Sequence, residues 1–271
     1  MPRRLWVGLI LLALLAVLGL VLPPFAPEDP TVWQQSPPNL KPSAYHWFGT
    51  TGVGQDAFWL LTWATRNSLL LGALVAAAAT VIGVTAGLLA GFAGGIADRV
   101  LAFLMDVFIC IPSLPILILF AAILKGDASL PVIAVILVVF NWPFPARQTR
   151  AVAIGMRERE FIHVARFSGE SLPRVVLHQI FPYLRAWSLG NFVNTVLVAI
   201  AAESAVAVIG LSSADQPSLG TMIYWALQQQ ALLAGRWLWI GPPVAVSIVL
   251  FIGLFLTSSG ITNLAAERRG R

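Results

Sequence analysis

Six stretches of roughly bilayer length, nearly free of charge, decide what this sequence can become. They run from about Leu5 to Leu22, Leu69 to Phe92, Val100 to Leu124, Leu130 to Ala146, Leu189 to Ile209 and Leu238 to Ile261. A helix crossing the hydrocarbon core needs about 20 predominantly apolar residues, and in lipid it must satisfy its own backbone. Only 11% of the 271 residues are charged and mean hydropathy is +0.82, whereas a soluble domain carries about 25% charge. The expectation is an all-α membrane protein of about six transmembrane helices.

The first stretch follows Arg3 and Arg4, and Pro23-Pro24-Phe25-Ala26-Pro27 offers no small-x-small cleavage site after it. It reads as an uncleaved span rather than a signal peptide. A polar, proline-rich segment continues to about Gln55. The expected division is a first transmembrane helix (1–22), an extracytoplasmic segment and lead-in (23–66), a five-helix core (67–265) and a basic cytoplasmic tail (266–271).

Basic residues orient the bundle, because cytoplasmic loops hold the excess of Lys and Arg. With the N-terminus inside, 13 of the 17 are cytoplasmic: Arg3, Arg4, Arg99, seven arginines from Arg147 to Arg185, Arg268, Arg269 and Arg271. Lys41, Arg66, Lys125 and Arg236 are outside. Both termini are therefore expected in the cytoplasm, and 147–185 is the main cytoplasmic loop. This placement also accounts for the net charge of +5 without any nucleic-acid partner.

Within the spans, Gly83, Gly87 and Gly91 clear one helix face for a neighbouring backbone. Pro143 and Pro145 interrupt the fourth span beside Asn141. Cys110 reads as a small packing residue. The three histidines, His46, His163 and His178, make no metal-ligand spacing, so no metal site is expected. An ionisable side chain at membrane depth costs about 2.5–3.5 kcal/mol on insertion scales. Asp106 and Glu203 therefore face an aqueous pathway or pair with polar groups or arginines of a neighbouring helix. Asn141, Asn191 and Asn194 pose the same choice. Trp6, Trp187, Trp225, Trp237 and Trp239 read as interface anchors.

The most charged part of the chain spans Arg147 to Arg185. On a helix from about Glu160, Phe161, Val164 and Ala165 share one side, with Arg159 and Arg166 opposite. Gly169 can end that helix, Ser171 can cap a second with Pro173 in its first turn, and Pro182 can close it. Two short amphipathic helices projecting from a bundle suit docking of a soluble partner, or a helix lying on lipid headgroups.

This segment resembles the EAA loop of binding-protein-dependent ABC importer permeases: Glu-Ala-Ala, three residues, Gly, then Ile-x-Leu-Pro. His163-Val164-Ala165 align with the triplet, Gly169 with the glycine and Pro182 with the final proline. His163, Val164, Gln179 and Phe181 depart from the pattern. Trp47-Phe48-Gly49-Thr50 with Gly54-Gln55-Asp56, and Gly91-Phe92-Ala93-Gly94-Gly95 with Asp98-Arg99, resemble further segments of dipeptide, oligopeptide and nickel-type permeases. So do Arg157-Glu158-Arg159-Glu160-Phe161, and Glu203 with Gly210-Leu211 and Pro217 to Met222.

The resemblance implies a transport subunit of a bacterial inner membrane, importing peptides or a related small solute such as a metal chelate. It implies a second, related permease subunit, two ATPase subunits and an extracytoplasmic substrate-binding protein. Glu160, His163, Val164, Ala165, Gly169, Leu172 and Pro182 would couple to the ATPase, with Asp106, Asn141, Asn194 and Glu203 along the pathway. This chain is expected to bind no cofactor. A Walker A loop needs Gly-x4-Gly-Lys-Ser/Thr, and neither lysine, Lys41 nor Lys125, sits in one, so ATP and Mg belong to the partner. A secondary transporter is the alternative; a membrane-embedded protease would need a histidine or ligand cluster at membrane depth.

Overall fold

The glycine stripe of the second span organises the bundle. In the computed structural model, which describes residues 3–124, 129–212 and 215–269, Ala57–Ala93 forms one helix, α2. At 1.5 Å per residue it is about 55 Å long, well beyond the roughly 30 Å of hydrocarbon. Before it lie α1 (Arg3–Ala16) and a π-type turn to Val21. After it come α3 (Gly95–Cys110), α4 (Ser113–Ile123), α5 (Leu130–Asn141) and α6 (Pro143–Arg157). Then follow α7 (Glu160–Phe167), α8 (Leu172–Val175), α9 (Phe181–Val208), α10 (Leu219–Gln228) and α11 (Trp237–Arg269).

α6 lies along the stripe. A methyl at Gly83 would strike the Pro145 ring and the Trp142 carbonyl, at Gly87 the Ala146 carbonyl, and at Gly91 the Ala153 methyl. Small residues admit the neighbouring backbone because packing, rather than the hydrophobic effect, holds helices together in lipid. The same device joins α1 to α11, where Gly8 meets Thr257 and Gly260 meets Leu5. Leu71 and Val75 of α2, Leu117 of α4, Leu137 of α5 and Ala199 of α9 close the middle of the core.

Among the described residues, five helical segments are long and apolar enough to cross a membrane, and a sixth if one bent pair is a single span. That pair, α3 and α4, corrects the expectation of an unbroken third span, since the two helices meet at 75°. Pro112, in extended conformation at ψ 111°, starts α4 and cannot donate the hydrogen bond that would continue α3. The fourth span is interrupted less. α5 and α6 abut at Trp142, with Pro143 and Pro145 in the first turn of α6, where a missing N–H leaves nothing unpaired. This span continues to Arg157, so residues 147–157 belong to a helix rather than to a loop.

The first residues of α1, the last turns of α11, the α2–α3 turn and α7–α8 share one end, which carries most of the described arginines. Lys125 and Arg271 lie outside the described residues. At the opposite end, Asp56 caps α2 by accepting from the Phe58 and Trp59 amides (2.9 and 3.0 Å). His46 Nδ1 meets its other oxygen at 2.7 Å. The Trp47–Asp56 motif thus builds a compact loop that starts α2. Trp239, expected at the interface, is instead buried among α2, α9 and α10 side chains. Cys110, expected to pack, is exposed.

Gly87→Val should lower stability by about 1–3 kcal/mol through overpacking. Gly155→Ala, with open space around it, should stay within about 1 kcal/mol of the parent, on the stabilising side. Melting of the purified protein in detergent checks both.

Candidate functional site

α7 and α8 are held to the bundle by one face and leave the other bare. Ile162 is fully buried and Ala165 nearly so, packed with Val175, Ile180 and Leu184 against Val84, Leu88 and Phe92 of α2. The anchored face is therefore Ile162–Ala165. This corrects the expected grouping of Phe161 and Val164 with Ala165, since Phe161 is partly exposed over Tyr183 and Val164 is 63% exposed. Phe167 is 91% exposed. Glu160 and His163 are also exposed, the former beside a groove lined by Met156, Arg159 and Tyr183.

The bend between the two helices rests on Gly169. Its φ of +82° is left-handed, which a residue with a Cβ adopts at a cost. The Glu170 amide then donates to the Ala165 carbonyl at 3.1 Å, closing a Schellman turn. Ser171 accepts the first backbone bond of α8 from Val175 (3.0 Å). Only the backbone of Leu172 is described, as the first residue of α8; its side chain lies outside the described residues. Pro182 does not close this helix. α8 widens into a π-type turn, Val176–Ile180, and runs directly into α9, with the Phe181 amide bonded to the Val176 carbonyl. The change to i→i−5 bonding just before the proline accommodates its missing donor.

The intramembrane polar groups separate into two kinds. Some are spent inside the bundle. Glu203 is fully buried on α9 and accepts from Ser218 Oγ at 2.6 Å. Ser218 caps α10 in a capping box with Thr221, whose amide donates to Ser218 Oγ at 3.2 Å. The next amide, Leu219, donates to Ser68 on α2 at 3.1 Å. Asn141 Nδ2 bonds the Leu137 carbonyl of its own helix, and Asn191 reaches Thr80 Oγ1 at 3.5 Å. Asn194, one turn along from Asn191, is exposed.

The second kind are ion pairs between α3 and α6. Arg150 binds Asp98 through two contacts, 2.5 and 2.7 Å, with both side chains largely covered. Arg147 meets Asp106 at 3.0 Å, yet each of these side chains is 58% exposed. Sequence patterning located Asp106 but not Arg147 as its partner, since Arg147 was assigned to a loop. Among the described residues no three His, Cys, Asp or Glu side chains lie together as metal ligands would.

A polytopic helical bundle carrying an anchored two-helix loop at its basic end is the architecture of a transport permease. Residues 83–270 match the model of the binding-protein-dependent transport system inner membrane components, and the chain belongs to that family. It resembles the oligopeptide transport system permease protein OppC of Mycobacterium tuberculosis, 28% identical over 93% of this chain and 86% of that protein. The dipeptide transport system permease protein DppC of Bacillus subtilis is 31% identical over 85% of this chain and 71% of its own length. The probable D,D-dipeptide permease DdpC of Escherichia coli is 28% identical over 96% and 86%. In structure the fold matches the inward-facing MetNI methionine ABC transporter with a TM-score of 0.56 at 19% identity, covering 77% of this chain and 96% of that one. The protein is thus the permease subunit of a binding-protein-dependent ABC importer, a multi-pass membrane protein and not an enzyme; in this family the ATPase is a separate subunit.

Two substitutions test the two-faced loop. Ile162→Asp buries a charge without a partner and should cost more than about 3 kcal/mol, whereas Val164→Asp on the bare face should stay within about 0.5 kcal/mol. Ser218→Ala removes the donor to a buried carboxylate and should cost about 1–3 kcal/mol. Thermal melts of the detergent-solubilised chain read all three.

Proposed function

We propose that this chain imports peptides across a bacterial cytoplasmic membrane, as one of two related permease subunits served by two ATPase subunits and an extracytoplasmic binding protein. α7 and α8 are its docking element for an ATPase, with Glu160, His163, Val164, Ala165, Gly169, Leu172 and Pro182 in the coupling segment. The observation that carries this reading is the bare apolar face of an anchored loop. Val164 and Phe167 point away from the bundle while Ile162, Ala165 and Val175 fix the loop's other side. An exposed phenylalanine on a helix held this firmly has the character of an interface anchor.

The positive-inside rule places this end in the cytoplasm, where the ATPase works. Closure of the ATPase pair on ATP would displace α7–α8 as a rigid element and shift the bundle between two states. Ala165 and Gly169 serve the internal side of this device by packing and by turning the chain. The peptide cargo is supported by the names of the relatives, which transport oligopeptides, dipeptides and D,D-dipeptides.

Phe167→Glu, co-expressed with the other subunits, should release the ATPase during purification while the melting temperature of the membrane subunit is unchanged. Reconstituted with its binding protein, the parent complex should take up a labelled dipeptide in preference to a nickel chelate. A Phe167→Glu complex that keeps its ATPase and its substrate-stimulated hydrolysis would remove the docking assignment.

A further inference from the structure

The exposed ion pair between α3 and α6 joins two helices that are both apolar enough to belong to membrane spans. Successive contacts fix its depth. Asp98 pairs with Arg150, Asp106 with Arg147, and the Phe108 ring packs on Trp142 and Phe140 (6.1 and 5.8 Å). α3 therefore runs antiparallel to the α5–α6 span. Counted from the start of that span at Leu130, Trp142 is about 18 Å along the helix and Arg147 about 25 Å, inside a hydrocarbon core of about 30 Å but toward its basic end. Asp106, two residues before Phe108, sits only about 3 Å further along the axis toward the basic end.

A long side chain at such a depth can bend toward the headgroups, but an aspartate has a single methylene and cannot. The Arg147 guanidinium is held beside Asp106 rather than extended toward the interface. Both side chains are 58% exposed, in contrast to the largely covered Asp98–Arg150 pair. Phe103 and Cys110, three and four residues from Asp106, are exposed too, as is Val107, which lies four from Phe103 and three from Cys110 on the same side. Gln148, beside Arg147 on α6, is likewise exposed. A stripe that carries a fixed charge pair inside a span is unsuited to hydrocarbon, because intramembrane charges face a bundle interior or a water-filled cavity.

We propose that this α3–α6 stripe borders the aqueous translocation pathway between this subunit and the second permease, and that Asp106 and Arg147 form its charged station. The pair presents one anion and one cation to the path. A solute carrying an ammonium and a carboxylate can exchange with each in turn; that solute class rests on the peptide reading above. The half-exposed pair has the open geometry that such exchange needs, whereas the covered Asp98–Arg150 clamp below it is structural.

The test is thiol accessibility in the assembled transporter in proteoliposomes, with Cys110→Ser as the background. Single cysteines replace Phe103 or Val107 on the stripe, or Phe255 on the apolar surface of α11 as a reference. A membrane-impermeant cationic methanethiosulfonate should modify the first two at least about tenfold faster than the third, because only the thiolate reacts and it forms in water, not in lipid. Adding Asp106→Asn should slow the cationic reagent at position 107 while leaving a neutral one unchanged. Modification at 103 and 107 as slow as at 255 would overturn the proposal, and so would an unchanged rate with Asp106→Asn. Labelling does not depend on retention of the ATPase or on the cargo, so it fails independently of the docking and peptide readings.

Discussion

The approach of α6 to the glycine face of α2 is the contact on which the remaining geometry depends. It is close enough that no side chain fits at Gly83, Gly87 or Gly91, and it extends from Trp142 to Ala153. Because α6 is fixed there, Arg147 and Arg150 are presented to α3, and the lower turns of α6 lead into α7 over the Val84–Phe92 surface. In lipid, apolar burial gives little drive for helix association, so close backbone packing carries the bundle. The positions of the Asp106–Arg147 pair and of the α7–α8 loop are both consequences of where that packing sets one helix.

Much of this was legible in the sequence, for physical reasons. Spans announce themselves because no uncharged run of about 20 residues has another explanation. The glycine stripe announces a close contact, and Gly169 announces a left-handed turn, since in each case only one residue type serves well. Other features were not legible. The anchored side of α7 depends on what lies beneath it, and Phe161, Ile162, Val164 and Ala165 offer several equally apolar faces to a pattern argument. Arg147 looked like a loop residue because hydropathy falls there, although the helix continues.

The prolines were the least readable. Pro143 and Pro145 follow a helix end and cost little. Pro112 produces the sharp bend, and Pro182 is absorbed by a π-type turn that composition does not signal. A proline marks a missing donor; whether the chain bends, stops or widens depends on the neighbours available to satisfy the freed carbonyls. Asp106 and Glu203 make the same point for charge. Similar in sequence, they differ in the structure: one is shared with an exposed arginine, the other is enclosed beneath the cap of α10.

The uninterrupted passage from α8 through the π-type turn into α9 has a mechanical meaning. From Leu172 to Val208 the backbone stays helical, with no slack linker and no hinge glycine at the junction. One extremity is the α7–α8 loop; near the other, Glu203 grips the cap of α10 at the far rim of the bundle. Counted at 1.5 Å per helical residue, the two are joined by about 50 Å of continuous helical backbone. Between the loop and that rim there is therefore no linker in which a displacement of the loop could be lost.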